Sequence, residues 1–331
     1  MTDHVRWGVI GCADIAVKKV IPAMSGSELS HVTAIASRSA ERARATADSL
    51  GIPKSYSSYE ELLGDPEIEA VYIPLPNHLH PEWTIAAAKA GKHVLCEKPL
   101  ATSSELAAEM IEAADRSGVK LMEAFMYRLH PLWVEVRRLL AEGAVGELRA
   151  VQSFFSYFND DPGDIRNQVD AGGGSLFDIG CYPVNVARML FGSEPTDVMA
   201  SIRRDPDFGT DVLTSVVLDF DGRHAVFTCS TQLESEQRVH IYGTEGRLVV
   251  EIPFNIPPDR PTRVLLVSGG DPPVDPNVVV HQVPAADQYR VQADAFSLAI
   301  RDDTPVPTPP QDAVANIEVM ERIFADAARR A

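Results

Sequence analysis

The sequence predicts an α/β protein in two parts. The first is a doubly wound parallel sheet, and the second is an α+β domain with an open, mostly antiparallel sheet. Three observations lead there. The chain has 331 residues, enough for two domains at ~150 residues each. Residues 4–125 alternate short β-branched runs with longer helix-like stretches, the pattern of a parallel sheet covered by helices on both faces. Beyond about residue 146, strand candidates follow one another with few helices between them. The expected domains are 1–126 and 127–331, with closing helices over 312–330 as candidates to return to the first.

Val5–Ile10 opens the chain as a strand, and Asp14–Met24 follows as a helix. Val32–Ala36 is a short apolar strand. Ala40–Leu50, rich in Ala, Arg and Glu, is a helix that Gly51 is placed to end. Tyr59–Leu63 is a short helix, Ala70–Ile73 a strand, Pro81–Ala90 a helix stopped by Gly91, and His93–Cys96 a strand. Ser103–Ser117 is a helix with Ser103 as N-cap and Gly118 as its stop, and Lys120–Ala124 is the next strand. In the second half, Arg149–Phe158 alternates and is aromatic. Val212–Phe220, His224–Gln232, Val239–Tyr242, Arg247–Glu251 and Arg263–Val267 are further strands. Leu176–Leu190 is the main helix among them, and Asp287–Ile300 and Asp312–Arg329 close the chain. Of 24 prolines, 12 lie in residues 253–310, which reads as rigid loops and edge strands because apolar segments interrupt it.

Hydrophobic residues make up 45% and charged residues 23%, as in folded globular proteins. No apolar run is long enough for a membrane span, and the opening MTDHVRWGVIG lacks the pattern of a signal peptide. The formal charge of −17 repels a phosphate backbone, so neither nucleic acid nor membrane is an expected partner. Cys12, Cys96, Cys181 and Cys229 fit no zinc spacing. They read as reduced thiols of a cytoplasmic protein, and no metal is expected.

Gly11-Cys12-Ala13-Asp14-Ile15-Ala16 lies between the first strand and the first helix and forms G-x-A-x-x-A, a variant of the dinucleotide fingerprint. Gly11 suits the tight turn, Ala16 suits close packing, and the N–H groups at the helix start can hold a pyrophosphate. An ordinary turn without ligand is the alternative. NAD-binding versions carry a carboxylate ~20 residues further on for the ribose hydroxyls. Here Ser37 stands there, followed by Arg38, with Arg42 one turn later. A hydroxyl donor and two guanidiniums suit a 2′-phosphate, which favours NADP over NAD. Solvated arginines at a helix start are the competing explanation.

Two further motifs carry chemistry. Glu97-Lys98-Pro99 lies at the carboxyl end of a strand, where ligands of open α/β sheets bind. Gly172-Gly173-Gly174-Ser175 opens a helix carrying Asp178 and Tyr182 at i, i+4, with Gly180 between them. A carboxylate and a phenol projecting together can orient and deprotonate a substrate hydroxyl. A dipole-favoured Asp and a core aromatic explain the same residues equally well.

Together these motifs resemble the glucose–fructose oxidoreductase / inositol dehydrogenase / rhizopine-catabolism (Gfo/Idh/MocA) family. The carriers are GCADIA at 11–16, Pro74-Leu75-Pro76-Asn77-His78-Leu79-His80, Glu97-Lys98-Pro99, Glu123-Ala124-Phe125-Met126-Tyr127-Arg128 and GGGSLFDIGCY at 172–182. They occur in family order over residues 1–190. Tyr182 and the opening Arg6-Trp7-Gly8 are most similar to the branch of dihydrodiol and xylose dehydrogenases. Ala13 in place of glycine is the main departure.

The resemblance implies a Rossmann domain followed by a C-terminal α+β domain whose open sheet joins subunits into a homodimer or homotetramer. It implies Lys98, Asp178 and Tyr182 as catalytic residues, Tyr182 being the general acid/base. Gly11, Cys12, Ala13, Asp14, Ile15, Ser37, Arg38, Arg42, Leu75, Asn77, His80, Glu97, Lys98 and Arg166 would bind the cofactor. Lys98, Arg128, Arg166, Asp178 and Tyr182 would bind substrate. The expected reaction is hydride transfer between NADP and a carbinol carbon of a sugar or related polyol or diol. A free phenol titrates near ~10, and a cationic Lys98 beside it would favour the phenolate. A ketosugar reductase and a non-catalytic NAD(P)-binding regulator are the rival functions.

Overall fold

The computed structural model describes residues 4–269 and 277–330; Pro272, Pro273 and Pro276 of the proline-rich stretch lie outside them. The chain divides into two compact units, residues 1–126 with Tyr289–Val314, and residues Tyr127–Gln288 with 315–331.

The first unit holds strands β1 (Val5–Ile10), β2 (Ser30–Ala36), β3 (Lys54–Tyr56), β4 (Ala70–Ile73), β5 (His93–Cys96) and β6 (Leu121–Glu123). Their order is β3-β2-β1-β4-β5-β6, every neighbouring pair parallel. Fully buried runs such as Ala70–Ile73 mark a sheet covered on both faces. Chain order reverses between β1 and β4, so the turns leaving these two strands flank the crevice where open α/β sheets take ligands. The helix expected over Asp14–Met24 is a π-helical turn, Ala16–Val20, followed by an α-helical one, Ile21–Ser25. Serine side chains cap the helices at Ser39, Ser58 and Ser103.

The segment that returns to this unit differs from the expected 312–330. The helix Gln288–Arg301 supplies it. Trp7 Nε1 donates to Ser297 Oγ at 3.1 Å, the Trp7 and Phe296 rings lie 5.7 Å apart, and Ser30 Oγ donates to Asp294. Residues 315–331 instead serve the second unit, where Arg322 donates to Pro195 O at 2.7 Å and the Ala200 N–H donates to Asp326 at 2.8 Å. Both closing helices are amphipathic, so periodicity did not distinguish which core each one covers.

The second unit carries β7 (Leu148–Phe158), β8 (Asp197–Arg204), β9 (Asp211–Asp219), β10 (His224–Ser230), β11 (Gln232–Gly243), β12 (Gly246–Val250), β13 (Thr262–Ser268) and β14 (Asn277–Val283). The order is β14-β13-β12-β11-β7-β10-β9-β8, antiparallel except for the parallel β7–β10 pair. One face buries Val151, Val216, Phe227, Val239, Leu248 and Val264, while Met199 and Val226 stay 46% and 41% exposed. The edge strand β8 was not anticipated; β14 falls in the stretch 253–310 read as rigid loops and edge strands. Charges stand only at the two ends of β8, and its burial alternates, whereas β14 carries three consecutive valines about half exposed and does not alternate. The helix Pro131–Ala141 was also missed, because Trp133, Val134 and Val136 mask its period. Among the described residues, no helix is long and apolar enough to cross a membrane.

Candidate active site

In the first unit, β1 delivers the chain into Gly11, whose φ of +109° suits glycine. A Cβ there would also sit 2.9 Å from Leu75 Cδ2, on the turn leaving β4. Gly11 is therefore favoured by its conformation, with the Leu75 side chain close beside it across the switch point. Helix begins at Asp14, so the first helical N–H groups follow directly on Cys12 and Ala13, as an anion cradle needs. The Asp14 carboxylate turns away into an exposed ion pair with Lys18.

At the end of β2, Ser37, Arg38 and Arg42 cluster around the start of the helix Ala40–Leu50. Ser37 Oγ accepts from the Ser39 N–H at 3.3 Å, and Ser39 Oγ caps the helix by accepting from the Arg42 N–H at 3.2 Å. Arg42 Nη2 donates to Cys12 O at 2.7 Å, which ties the end of β2 to the turn after β1. Tyr59, which the sequence reading missed, completes the group. Burial raises its phenol, and the nearby Arg38 and Arg42 charges oppose that rise. A hydroxyl, two guanidiniums and a helix N-terminus make this an anion-binding cluster, and the Gly11 turn fits the pyrophosphate of a dinucleotide.

Lys98, half-buried, follows β5 in a turn held from below by buried groups. Tyr72 O–H donates to Glu97 Oε1 at 2.6 Å, and Glu97 Oε2 accepts from the Lys98 N–H at 3.2 Å. The Leu100 N–H donates to Glu123 Oε1 at 2.8 Å. Burial and the Glu97 anion push the Tyr72 phenol well above its ordinary range, keeping it a donor. Leu75 and Asn77 are partly exposed on the turn after β4.

His80 requires a correction. Expected to line the nicotinamide ribose pocket, it is fully buried, with Nδ1 2.9 Å from Pro99 O and Nε2 2.8 Å from Leu75 O. Its two ring nitrogens face one backbone carbonyl on each of the turns after β4 and β5, at the start of the helix His80–Lys89. Burial, with the Lys98 charge adding, lowers its pKa to about 4, so near neutral pH the ring keeps one proton and donates to one carbonyl. His80→Ala is expected to cost about 2–4 kcal/mol of stability by leaving the acceptor unpaired and a cavity. The pH dependence has a definite sign. The folded-state value lies below the unfolded 6.5, so stability is present above pH 6.5 and falls progressively toward about pH 4. That share of the decline should vanish from His80→Ala in urea titrations at pH 7 and pH 4.5.

In the second unit, the glycine run is explained by contact. A Cβ on Gly173 would lie 2.5 Å from Arg166 O, and one on Gly174 would overlap the Asp211 carboxylate. Asp211, buried and unforeseen, accepts from Ser175 Oγ and from the Leu176 N–H, each at 2.7 Å, and so anchors the start of the next helix. A Cβ on Gly180 would meet Cys229 Sγ at 2.8 Å, the close approach that offsets its helix cost.

The expected single helix over Leu176–Leu190 opens with a π turn, Leu176–Gly180, before the α-helix Cys181–Phe191. Such turns frequently mark functional sites. Asp178 lies in the π turn and Tyr182 in the first α-helical turn, so the two are not on one regular α-helical face. Asp178 Oδ2 accepts from Tyr157 Oη at 2.5 Å and from Arg166 Nε at 3.2 Å; Arg166 Nη1 also donates to Asp164 at 3.2 Å. The Asp178 charge raises the Arg166 guanidinium further. The Tyr182 ring is 5% exposed and packs against Phe254, Phe155 and Tyr127, with centroids 5.1, 5.6 and 5.8 Å away. Asn185 Oδ1, one turn on, accepts from Tyr127 Oη at 2.6 Å and Arg128 Nη1 at 3.1 Å. The structure thus brings Asp178 and Arg166 together and sets Arg128 beside the Tyr182 helix. Tyr157 lay in the alternating strand, but its role has no local sequence signal.

Comparison with known proteins agrees with both units. Residues 5–125 match the model of an oxidoreductase family with an NAD-binding Rossmann fold, and residues 133–249 match the GFO/IDH/MocA C-terminal domain. The chain is 41% identical over 323 residues to a D-xylose 1-dehydrogenase (NADP(+)) of Haloferax volcanii, covering 97% of this chain and 96% of that protein. It superposes with a TM-score of 0.91 on KijD10, a 3-ketoreductase from Actinomadura kijaniata in complex with NADP and TDP-benzene, at 33% identity and 98% coverage of both chains. An aldose–aldose oxidoreductase from Caulobacter crescentus, complexed with glycerol, gives a TM-score of 0.90 at 27% identity, covering 99% of this chain and 98% of that one. With both of its halves matched in order and near-complete relatives on either side, the chain belongs to the Gfo/Idh/MocA family of oxidoreductases.

Proposed function

We propose that the protein is an NADP-dependent dehydrogenase that oxidises a carbinol carbon of a neutral sugar, an aldose such as xylose or glucose, or a related polyol or diol. The observation that carries this reading is the anchored Asp178 carboxylate in the π turn before Tyr182. Likeness over nearly the full chain to a D-xylose 1-dehydrogenase supports the substrate class. When bound, the cofactor supplies a hydride acceptor for the carbinol carbon. Tyr182 Oη takes the hydroxyl proton in oxidation and returns it in reduction. Asp178 accepts from a substrate hydroxyl and sets its orientation. Lys98 would donate from its ammonium to a substrate hydroxyl.

The charges favour a neutral substrate. Segment 159–178 holds Asp160, Asp161, Asp164, Asp170 and Asp178, and Arg166 already serves two of these carboxylates. A second reading, reduction of a nucleotide-linked ketosugar, is favoured by the likeness to the 3-ketoreductase. Reduction of NADP across aldoses, inositols and diols at several pH values separates the two, with turnover expected on neutral aldoses. Turnover only in the reverse direction on TDP-ketosugars would replace the first reading with the second. Cofactor binding with no turnover on any substrate would make the protein a regulator. The reading includes a homo-oligomer joined through the open face of the second sheet, and a monomer in sedimentation at micromolar concentration would remove that part.

A further inference from the structure

We propose that Tyr157 is a positioning residue, whose phenol holds the Asp178 carboxylate in the one orientation that can receive a substrate hydroxyl. The inference rests on the role given to Asp178 above. Tyr157 stands near the end of β7, 21 residues before Asp178, and its O–H donates to Oδ2 at 2.5 Å. Arg166 Nε donates to the same oxygen at 3.2 Å. Two donors from different segments converge on one carboxylate oxygen and fix the side-chain torsions of a residue whose backbone lies in a π turn. Without them a short carboxylate rotates, and orientation of a bound hydroxyl is lost.

The two donors are not equivalent. Arg166 is 44% exposed and divides its guanidinium between Asp164 and Asp178, so its hold is screened by solvent and shared. Tyr157 is more enclosed and makes the shorter, charge-assisted bond. Burial and the Asp178 anion raise its phenol far above the ordinary range, so Tyr157 stays protonated and leaves proton transfer to another group. The competing role for such a residue is packing β7 against the helix. Packing would appear in stability and not in turnover.

The full-length protein is tested as wild type, Tyr157→Phe, Asp178→Asn and the double variant. For each, kcat and KM are measured on the best sugar of the panel, NADP affinity by fluorescence titration, and thermal unfolding by circular dichroism. Tyr157→Phe keeps the ring and removes only the donor. It is expected to lower kcat ~10–100-fold, the worth of one hydrogen bond to a charged group. NADP affinity should stay within about twofold and the unfolding midpoint within about 5 °C, as for a surface-sized change in stability. The double variant is expected to be no slower than Asp178→Asn, because the phenol acts only through that carboxylate. Wild-type turnover in Tyr157→Phe beside a slow Asp178→Asn overturns this inference alone, and so do losses that multiply in the double variant. A lowered unfolding midpoint with wild-type turnover overturns it in favour of packing. Wild-type turnover in Asp178→Asn overturns the reading of the site and this inference with it.

Discussion

Tyr182→Phe should lose ~10²–10⁴ of its turnover while retaining NADP affinity, the range expected when a general acid/base is removed. The substitution is clean because the ring stays. Phe254, Phe155 and Tyr127 surround Tyr182 by their ring faces and edges, and phenylalanine keeps those contacts. Folding stability should therefore change little, and the loss of rate reports the missing hydroxyl. Steady-state kinetics with a parallel cofactor titration check it. Near-normal turnover would show that the proton leaves by another group and would assign Tyr182 to the aromatic core.

Arg38→Ala is expected to weaken NADP ~10–100-fold, as loss of a charge-assisted contact to phosphate, and to leave NAD nearly untouched. Arg42→Ala should be less selective, because Arg42 also donates to the Cys12 carbonyl and holds the pyrophosphate turn in place. Its loss loosens a part common to both cofactors. The pair Arg38→Ala/Arg42→Ala should thus cost more than ~10²-fold in NADP affinity, with a smaller fall for NAD. Dissociation constants for both nucleotides decide the matter. Equal losses for NADP and NAD in Arg38→Ala would discredit the 2′-phosphate assignment made on Ser37, Arg38 and Arg42.

Local residue pattern was enough for most of the first unit. Strands such as Ala70–Ile73 and His93–Cys96, and helices such as Ala40–Leu50, were read to the residue, since β-branched runs, serine caps and terminal glycines act over one or two turns. The outermost strand β14 carries no alternating burial, because an edge has no second neighbour to enforce one. The candidate site was legible where glycine marks it. Gly11 holds a φ of +109° that favours glycine, and a Cβ on Gly180 would crowd Cys229 Sγ.

From residue order alone came the two-part architecture, the cofactor turn and the family. These are matters of short-range pattern: a turn needs its glycine, a helix its cap. Three-dimensional packing alone decided which closing helix serves the Trp7 core, that the His80 ring is buried between two backbone carbonyls, that Asp211 anchors the glycine run, and that Tyr157 donates to Asp178. Each joins groups on different segments, up to 290 positions apart in the case of Trp7 and Ser297. Which donor meets which acceptor is then set by strand order and register, and no local periodicity records it.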